Sequence, residues 1–554
     1  MSTVAPTLPT SKNATDWWRN AVIYQIYPRS FADGNGDGIG DLPGVTSRLD
    51  TIAALGVDAV WLSPFYVSPQ HDAGYDVADF RDVDPVFGTL ADADALIARA
   101  HELGLRIIVD MVPNHTSFEH VWFREAAVAE IDSPVRHRYI YRDGRGPDGA
   151  EPPNNWTSVF GGPAWTRETR PDGTPGQWYL HLFDSTQPDL NWSHPEVQDE
   201  FDDILHFWLK RGVDGFRVDV AHGLIKEDGL PDHFPNEGGG SMGGSEFIAT
   251  PYFGQEGVHD VWRRWRRILE GYGPDRILVA EAWVYPLTRM ANWVRPDEMH
   301  QAFNFPYLET AWDADAQRRM ITESLAAFSG VDAPSTWVLS NHDTVRHASR
   351  LALTAVNPQG HGIGPKSAGL PIPDLGLKRA RAATLMMLAL PGSAYVYQGE
   401  ELGLPEHVDI PDDARQDPTW FRTAGERYGR DGCRVPLPWE AEAPAYGFNT
   451  TGESWLPQPD AWAGLARDVQ SGDPASTLSL YKAALAERAA RDLGNGTVEW
   501  LDLGDGILAF DNGDVRVIAN IGGDEVRFEG TVIAASGPVN DTVPADTTVW
   551  LSRR

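Results

Sequence analysis

Short apolar stretches rich in β-branched and aromatic residues alternate along the chain with longer stretches of helical period. Each short stretch has the length and composition of a strand that is buried on both faces. The segments between them, such as 90–103 and Pro195–Arg211, have the spacing of amphipathic helices. Eight strands are predicted, at 21–27, 58–62, 106–112, 215–218, 276–280, 301–304, 336–340 and 393–397. Eight strand–helix units predict an α/β fold, the (β/α)8 TIM barrel.

Two parts of the chain depart from this alternation. The connection between the third and fourth strands, 113–192, is too long for an ordinary loop and has its own aromatic residues and turn signals, so an inserted lobe is predicted there. Near the carboxyl end, a predicted helix at 476–491 leads into short strands of alternating pattern, such as 506–511 and 515–518. These strands predict a C-terminal antiparallel β-sandwich domain.

The predicted domain division follows from these departures. The barrel takes 1–112 and 193–475, the inserted lobe 113–192, and the linking helix with the β-domain 476–554. The glycine-rich segment 237–244 is predicted to be a mobile loop over the barrel face.

Charge and composition narrow the class of partner. The 554-residue chain has a formal net charge of −33, which repels nucleic acid and anionic membranes. Its single cysteine, Cys433, excludes an intrachain disulfide. Neither a signal-peptide pattern at 1–16 nor an apolar run of the roughly 20 residues that span a bilayer is present. We therefore expect a cytoplasmic monomer or homodimer that acts on a small neutral molecule.

Polar residues directly after the predicted strands are the candidates for chemistry, because active sites of such barrels lie at the carboxyl ends of the strands. Asp219, Glu281 and Asp343 follow the fourth, fifth and seventh strands. Two carboxyl groups that face a sugar across its scissile bond are what glycoside cleavage requires. Three carboxylates at one mouth therefore indicate a glycoside-cleaving enzyme.

The neighbours of two of these carboxylates suggest different protonation states. Arg217 lies two residues before Asp219 on the same strand, so both side chains point the same way and the guanidinium is expected to keep Asp219 ionised. Glu281 is flanked by alanines and lies near the indoles of Trp283 and Trp293 in the sequence. Partial desolvation is expected to raise the pKa of Glu281 towards that of a general acid.

The motifs around these residues resemble glycoside hydrolase family 13, the α-amylase superfamily. Its four signature regions are matched by Asp110-Met-Val-Pro-Asn-His115, Gly215-Phe-Arg-Val-Asp-Val-Ala-His222, Glu281-Ala-Trp283 and Ser340-Asn-His-Asp343. The resemblance covers nearly the whole chain from Trp17. Segments 17–28, 187–192 and 398–403 are most similar to the α-glucosidase and oligo-1,6-glucosidase branch.

This resemblance implies roles for the three carboxylates. Asp219 would be the nucleophile that forms a covalent glucosyl intermediate, Glu281 the acid/base, and Asp343 the group that grips the sugar hydroxyls. The α-anomer would be retained, with the two catalytic carboxyl groups about 5–5.5 Å apart.

The matching positions also imply a glucose-sized subsite. Tyr75 would provide a stacking face, and Asp72 with Arg434 would bind the outer hydroxyls and close the pocket, which makes the enzyme exo-acting. Phe160 would form an aromatic wall, and Val220 bears on linkage preference. The implied substrate-binding residues are Asp72, Tyr75, His115, Phe160, Gln187, Arg217, Val220, His342 and Arg434.

A glycine-rich loop carries oxygen side chains at nearly every second position, which is the spacing of a calcium loop. It lacks the Glu at the twelfth position and the preceding helix of an EF-hand. In the branch this loop binds a structural Ca²⁺, so the implied ligands are Asp33, Asn35, Asp37, Asp41 and the carbonyl of Ile39. No organic cofactor is expected.

The activity implied by this resemblance is hydrolysis of short α-glucosides, with maltose-type α-1,4 bonds favoured, some action on α-1,6 bonds or sucrose, and some transglucosylation. Two alternatives stay open. The same site serves a sucrose isomerase, trehalose synthase or glucosyltransferase, in which a sugar takes the place of water. A catalytically inactive family member that serves as a transporter subunit or binding protein is the remote alternative, and it would lack the carboxylates.

Overall fold

A computed structural model describes residues 15–234 and 250–553. Its centre is a sheet of eight parallel strands, in which the barrel strands follow the order 6-5-4-3-2-1-8-7. A parallel bridge between Phe303 and Thr336 joins the sixth strand to the seventh and closes the barrel. The strands are Val22–Ile26, Ala59–Leu62, Arg106–Met111, Gly215–Val218, Ile277–Ala280, Gln301–Ala302, Thr336–Val338 and Ser393–Tyr397. All eight lie within the predicted segments.

The helices of the described residues surround this sheet and bury the apolar faces of the strands. Thr89 and Asp92 form a reciprocal capping box at the start of the helix Leu90–Glu102. Gly212 ends the helix Pro195–Arg211 with a φ of 101°, a left-handed conformation that favours glycine. The α-helices are Leu42–Ala53, Leu90–Glu102, Val121–Val128, Pro195–Arg211, Val258–Glu270, Leu287–Met290, Phe305–Glu309, Ala314–Ser329, His347–Arg350, Pro373–Leu388, Pro418–Arg422, Arg467–Ser471 and Thr477–Ala490.

The inserted segment after the third strand forms a lobe beside the barrel mouth. Its antiparallel sheet contains Tyr141–Arg142, Pro175–Leu180 and Trp165–Thr169, in that spatial order. A separate core of aliphatic and aromatic residues fills it, including Leu180, Trp156 and Trp165. The lobe core also includes Val220, which directly follows Asp219, so the lobe packs against the catalytic end of the barrel.

The carboxyl-terminal residues form an antiparallel β-domain. Its five-stranded sheet has the order Glu499–Leu501, Ile507–Asn512, Val515–Asn520, Thr547–Ser552 and Thr531–Ala535, and Val526–Arg527 pairs with Thr542–Val543. Trp550 packs one face of the sheet onto the barrel helix Pro373–Leu388 and donates a hydrogen bond to the Leu385 carbonyl. This contact fixes the domain to the barrel, away from the strand ends that carry the catalytic candidates.

The structure confirms the predicted fold class: a (β/α)8 barrel, a lobe after the third strand and a terminal antiparallel β-domain. The exact domain boundaries stay predictions. The glycine-rich segment 237–244 lies outside the described residues. Within 15–234 and 250–553, no helix is both long and apolar enough to cross a membrane.

Candidate active site

Three strand ends bring Asp219, Glu281 and Asp343 into one open cavity, whose volume is about 870 Å³ when the solvent space at its mouth is included. Asp219 and Glu281 directly follow the fourth and fifth barrel strands, and Asp343 lies five residues after the seventh. The cavity is lined by Asp72, Tyr75, His115, Val159, Phe160, Phe183, Asp219, Val220, His222, Phe253, Glu281, Trp283, Asp343, Gln359, Gly360, Thr419, Arg427 and Arg430. It therefore combines acidic groups with a large aromatic surface, which is the usual composition of a sugar site.

Arg217 is the buried cation beneath Asp219. Its Nη1 lies 2.6 Å from Asp219 Oδ1 and 2.7 Å from Asp110 Oδ1, and its Nη2 lies 3.8 Å from Glu281 Oε2. The predicted Arg217–Asp219 contact is present, but one guanidinium serves three carboxyl groups. Burial raises the pKa of Asp219, Arg217 lowers it, and the carboxylates of Glu281 and Asp343 raise it. The net direction is upward, so the expectation that the charge of Arg217 keeps Asp219 ionised needs correction: the guanidinium lowers the pKa of Asp219 but does not outweigh burial and the neighbouring carboxylates.

Asp110 is the competitor that the sequence reasoning missed. It is the fifth residue of the third strand and is fully buried, where it accepts hydrogen bonds from Trp61 and Tyr75 as well as from Arg217. Burial raises its pKa to about 7. The sequence contained a sign of this role, because Asp110 is a carboxylate near a strand end, as Asp219, Glu281 and Asp343 are.

Glu281 is as buried as Asp219 but lies farther from the Arg217 guanidinium. Its Oε2 accepts a hydrogen bond of 2.6 Å from the Val220 backbone N–H, and Trp283 beside it stacks on Phe305 at 3.9 Å. Burial raises the pKa of Glu281, against the opposing effect of Arg217. The direction is the one expected for a general acid. Trp293 does not line the cavity and donates to the Ala221 carbonyl instead.

Asp343 has the opposite electrostatic environment. Arg430 Nη1 and Arg434 Nη2 lie 3.1 and 2.9 Å from its Oδ1, and His342 Nε2 lies 3.2 Å from its Oδ2. Burial disfavours its charge, but His342 and the two arginines outweigh burial and hold the pKa of Asp343 well below its usual range. Asp343 is therefore a permanent anion, able to accept hydrogen bonds from sugar hydroxyls.

Arg430 occupies the place that the sequence assigned to Arg434. Arg430 Nη2 lies 2.6 Å from Asp72 Oδ1, and the Arg430 guanidinium lies over the Phe160 ring. Arg434 is buried behind the cavity lining, where it forms an ion pair with Asp343. The pair that closes this end of the cavity is thus Asp72–Arg430. The sequence reasoning missed Arg430, which lies four residues before Arg434.

The remaining predicted binding residues form two layers. Tyr75, His115, Phe160 and Val220 line the cavity with Asp72. Behind them lie the buried residues Gln187, Arg217, His342 and Arg434. His342 stacks on Tyr75 with an interplanar angle of 7°, and Gln187 donates a 3.0 Å hydrogen bond to Asp72. The second layer therefore orients the first.

An aromatic wall of Phe160, Phe183, Phe253 and Trp283 lines another part of the cavity. Phe160 contacts Phe183 with ring centroids 5.6 Å apart, and Phe253 contacts His222 at 4.5 Å. All four rings lie outside the helices and strands. Phe160 and Trp283 were singled out from motifs, and no periodicity in the sequence identified Phe183 and Phe253.

The predicted calcium loop lies apart from the cavity. Asp33, Asn35 and Asp37 accept hydrogen bonds from backbone N–H groups of the loop itself, and Asp41 also caps the helix Leu42–Ala53. The candidate ligand atoms are carboxylate, amide and carbonyl oxygens, which are the ligands that Ca²⁺ prefers. Within the described parts of the chain, no group of three or more His, Cys, Asp and Glu side chains converges on a metal position. Calcium at this loop stays a prediction.

A barrel with acidic groups and an aromatic wall in one cavity defines the class as a glycoside hydrolase. Residues 25–495 match the family model for the alpha amylase catalytic domain. The chain belongs to this family, glycoside hydrolase family 13.

Curated relatives and solved structures agree with this membership. A Rhizobium meliloti (strain 1021) protein named "Probable alpha-glucosidase" is 40% identical over 512 residues, which cover 89% of this chain and 87% of the relative. The oligo-1,6-glucosidase of Parageobacillus thermoglucosidasius is 36% identical, with 86% and 84% covered. The crystal structure of the alpha-glucosyl transfer enzyme XgtA has a TM-score of 0.84 and 35% identity over 97% of this chain and all of its own. The chain is therefore a glycoside hydrolase of the α-glucosidase and oligo-1,6-glucosidase branch.

Proposed function

We propose that the protein is a retaining, exo-acting α-glucosidase that releases glucose from the non-reducing end of short α-glucosides, with maltose-type α-1,4 bonds favoured. The observation that carries this proposal is the buried Asp72–Arg430 pair, which closes one end of the cavity that contains the three carboxylates. A closed end next to the reacting groups admits one terminal sugar residue and excludes a chain that continues beyond it.

In the proposed reaction, Asp219 attacks the anomeric carbon while Glu281 protonates the glycosidic oxygen of the leaving sugar. The bond to that oxygen breaks as the Asp219 ester forms. Glu281, now deprotonated, then takes a proton from a water molecule whose oxygen attacks the same carbon and releases Asp219. Two displacements on one carbon retain its configuration.

The charges around Arg217 support this division of labour. Asp110, Asp219 and Glu281 share one cation, so the group keeps a proton more readily than separate carboxylates would. We assign that proton to Glu281, because Asp110 and Asp219 each contact the guanidinium at 2.7 and 2.6 Å while Glu281 is 3.8 Å away. Asp343 stays ionised next to two arginines and binds hydroxyls of the distorted sugar.

The second candidate is glucosyl transfer to a sugar, as in a glucosyltransferase, sucrose isomerase or trehalose synthase. The aromatic wall favours it, because a sugar acceptor stacks on such rings and displaces water. XgtA, named as an alpha-glucosyl transfer enzyme, shares this fold over nearly the whole chain.

Product analysis separates the two candidates. The purified protein is incubated with maltose, isomaltose, sucrose and trehalose in parallel, with Asp219→Asn as the control for chemistry at this site. Free glucose as the main product, fastest from maltose, supports the proposal. A predominance of isomeric disaccharides or longer oligosaccharides replaces it with the transfer reaction.

Calcium is proposed only as a structural ion. Asp33, Asn35, Asp37, Asp41 and the Ile39 carbonyl would hold it and would stiffen the loop before the helix Leu42–Ala53.

A further inference from the structure

Lys226 is a buried lysine behind the cavity whose contacts fix the orientation of an amide. Its side chain is 4% exposed, and its Nζ lies 2.8 Å from Asn114 Oδ1 and 2.9 Å from Asp189 Oδ2. An ammonium group only donates hydrogen bonds, so the Asn114 atom that faces it must be the oxygen. The rotated amide would place two donors against each other.

This orientation determines what Asn114 offers to its neighbour His115. Asn114 Nδ2 lies 3.2 Å from Asp189 Oδ2 and 3.2 Å from His115 Nδ1. Since Nδ2 is a donor, His115 Nδ1 must accept and therefore carries no proton. Burial lowers the pKa of His115 to about 4, so the neutral ring keeps its one proton on Nε2.

The Tyr75 contact of Nε2 agrees with this tautomer. Nε2 lies 3.2 Å from the Tyr75 carbonyl, which only accepts. Nε2 also lies 3.2 Å from Gln187 Nε2, which donates one hydrogen to Asp72 and keeps a second, so this one contact favours the other tautomer. The tautomer with its proton on Nδ1 would gain a hydrogen bond from Gln187. It would also set Nδ1–H against the Asn114 N–H and leave the Tyr75 carbonyl without the Nε2–H donor.

We propose that Lys226 is a positioning residue that fixes, through Asn114, the His115 tautomer with its proton on Nε2. His115 lines the cavity, and its single Nε2–H lies 3.2 Å from the Tyr75 carbonyl, so a sugar oxygen bound there would share this donor with Tyr75. The sugar-binding part of this inference rests on the proposed function. The tautomer itself does not.

The test is the ¹⁵N NMR spectrum of the protein labelled at histidine, with the His115 signals assigned by their loss in His115→Gln. The wild type should show an unprotonated Nδ1. Asn114→Asp replaces the donor with a carboxylate oxygen, so Nδ1 should become protonated. Lys226→Gln frees the amide and should give a mixture of tautomers, whereas Lys226→Arg, still only a donor, should keep the wild-type signal. Asn304→Asp, at an equally buried asparagine, controls for an added carboxyl group.

A protonated Nδ1 in the wild type overturns the inference, and so does an unchanged His115 signal in Asn114→Asp or in Lys226→Gln. Kinetics with maltose give a second readout: Asn114→Asp should raise KM about fivefold, the usual effect of one lost hydrogen bond, with a smaller change in kcat. A wild type that releases no glucose contradicts the proposed function and leaves the NMR result standing.

Discussion

Two walls of the same cavity differ in how their side chains are held. The ion-paired wall consists of Asp72, Asp343 and Arg430 with Arg434 behind them, and both carboxylates and both guanidinium groups have partners within 3.1 Å. The aromatic wall of Phe160, Phe183, Phe253 and Trp283 is held by ring contacts, which lack the direction of hydrogen bonds. Under the proposed function, the ion-paired wall would recognise one sugar through its hydroxyls, and the aromatic wall would accept different leaving groups and acceptors.

This contrast separates two questions about function. Under the proposed function, the ion-paired wall and the catalytic carboxylates would determine which sugar is transferred, and the aromatic wall would determine what receives it. Substitutions on the two walls should therefore affect different kinetic quantities.

The largest effect is expected from the nucleophile, which both outcomes of the reaction need. Asp219→Asn should lower kcat for maltose by about three orders of magnitude or more, because an amide does not form the glucosyl ester. The melting temperature should change little, since Arg217 keeps its contact with Asp110. Glu400→Gln, which alters a buried carboxyl group outside the cavity, is the matched control. Near-normal turnover of Asp219→Asn would contradict the assignment of Asp219 as the nucleophile.

The second-largest effect is expected from a substitution that disrupts the ion-paired wall. Arg430→Lys keeps the charge but loses the fork that reaches Asp72 and Asp343 together, so KM for maltose should rise about tenfold or more. The transfer-to-hydrolysis ratio should stay constant. Arg467→Lys, at the buried ion pair with Glu401, should leave KM unchanged. An unchanged KM in Arg430→Lys would show that this wall does not select the sugar.

The pH profile tests the charge shared by Arg217. Asp219 is active when ionised, and its pKa is raised, so kcat/KM should fall on acidification at a higher pH than an ordinary aspartate would give. Asp110→Asn removes a competing carboxylate and should move this acid limb to lower pH. Rate measurements between about pH 4 and 9 check it, and an acid limb that stays in place in Asp110→Asn would contradict the shared-charge account.

A smaller effect is expected on the aromatic wall. Phe253→Ala opens the contact with His222 and admits water, so the ratio of transfer to hydrolysis at high maltose should fall severalfold while KM changes less than threefold. Chromatography of the products measures the ratio. A large rise in KM with a constant ratio would mean that the two walls do not have separate roles.

The smallest expected effect lies away from both walls. If the loop with Asp33, Asn35, Asp37 and Asp41 binds Ca²⁺, a chelator should lower the melting temperature by a few degrees and leave the initial rate at 25 °C nearly unchanged. Asp37→Ala should abolish the difference between the two melting curves. Identical melting curves for the wild type with and without chelator would contradict calcium binding at this loop.

The sequence predicted most of the fold because buried parallel strands are continuous apolar runs, and a carboxylate after such a run lies at the barrel mouth. Asp219, Glu281 and Asp343 were found in this way. Position along a strand does not reveal charge sharing, so the competition of Asp110 for Arg217 was missed.

Loops were harder to interpret. Arg430 and Arg434 are four residues apart, and only the folded backbone decides which of them reaches Asp72. Phe253 and Lys226 belong to no periodic pattern. Phe253 contacts His222 and Lys226 contacts Asn114, both distant in the sequence, so their surroundings are known only from the folded chain.

The most direct test of the central claim is the anomer of glucose that the wild type releases first. Maltose is hydrolysed in an NMR tube at a high enzyme concentration, and the anomeric proton signals are followed before mutarotation equilibrates them. Attack by Asp219 followed by attack of water predicts α-glucose first, with the β-anomer appearing only at the rate of mutarotation. β-Glucose as the first product would mean a single displacement by water, and would contradict the role of Asp219 as nucleophile.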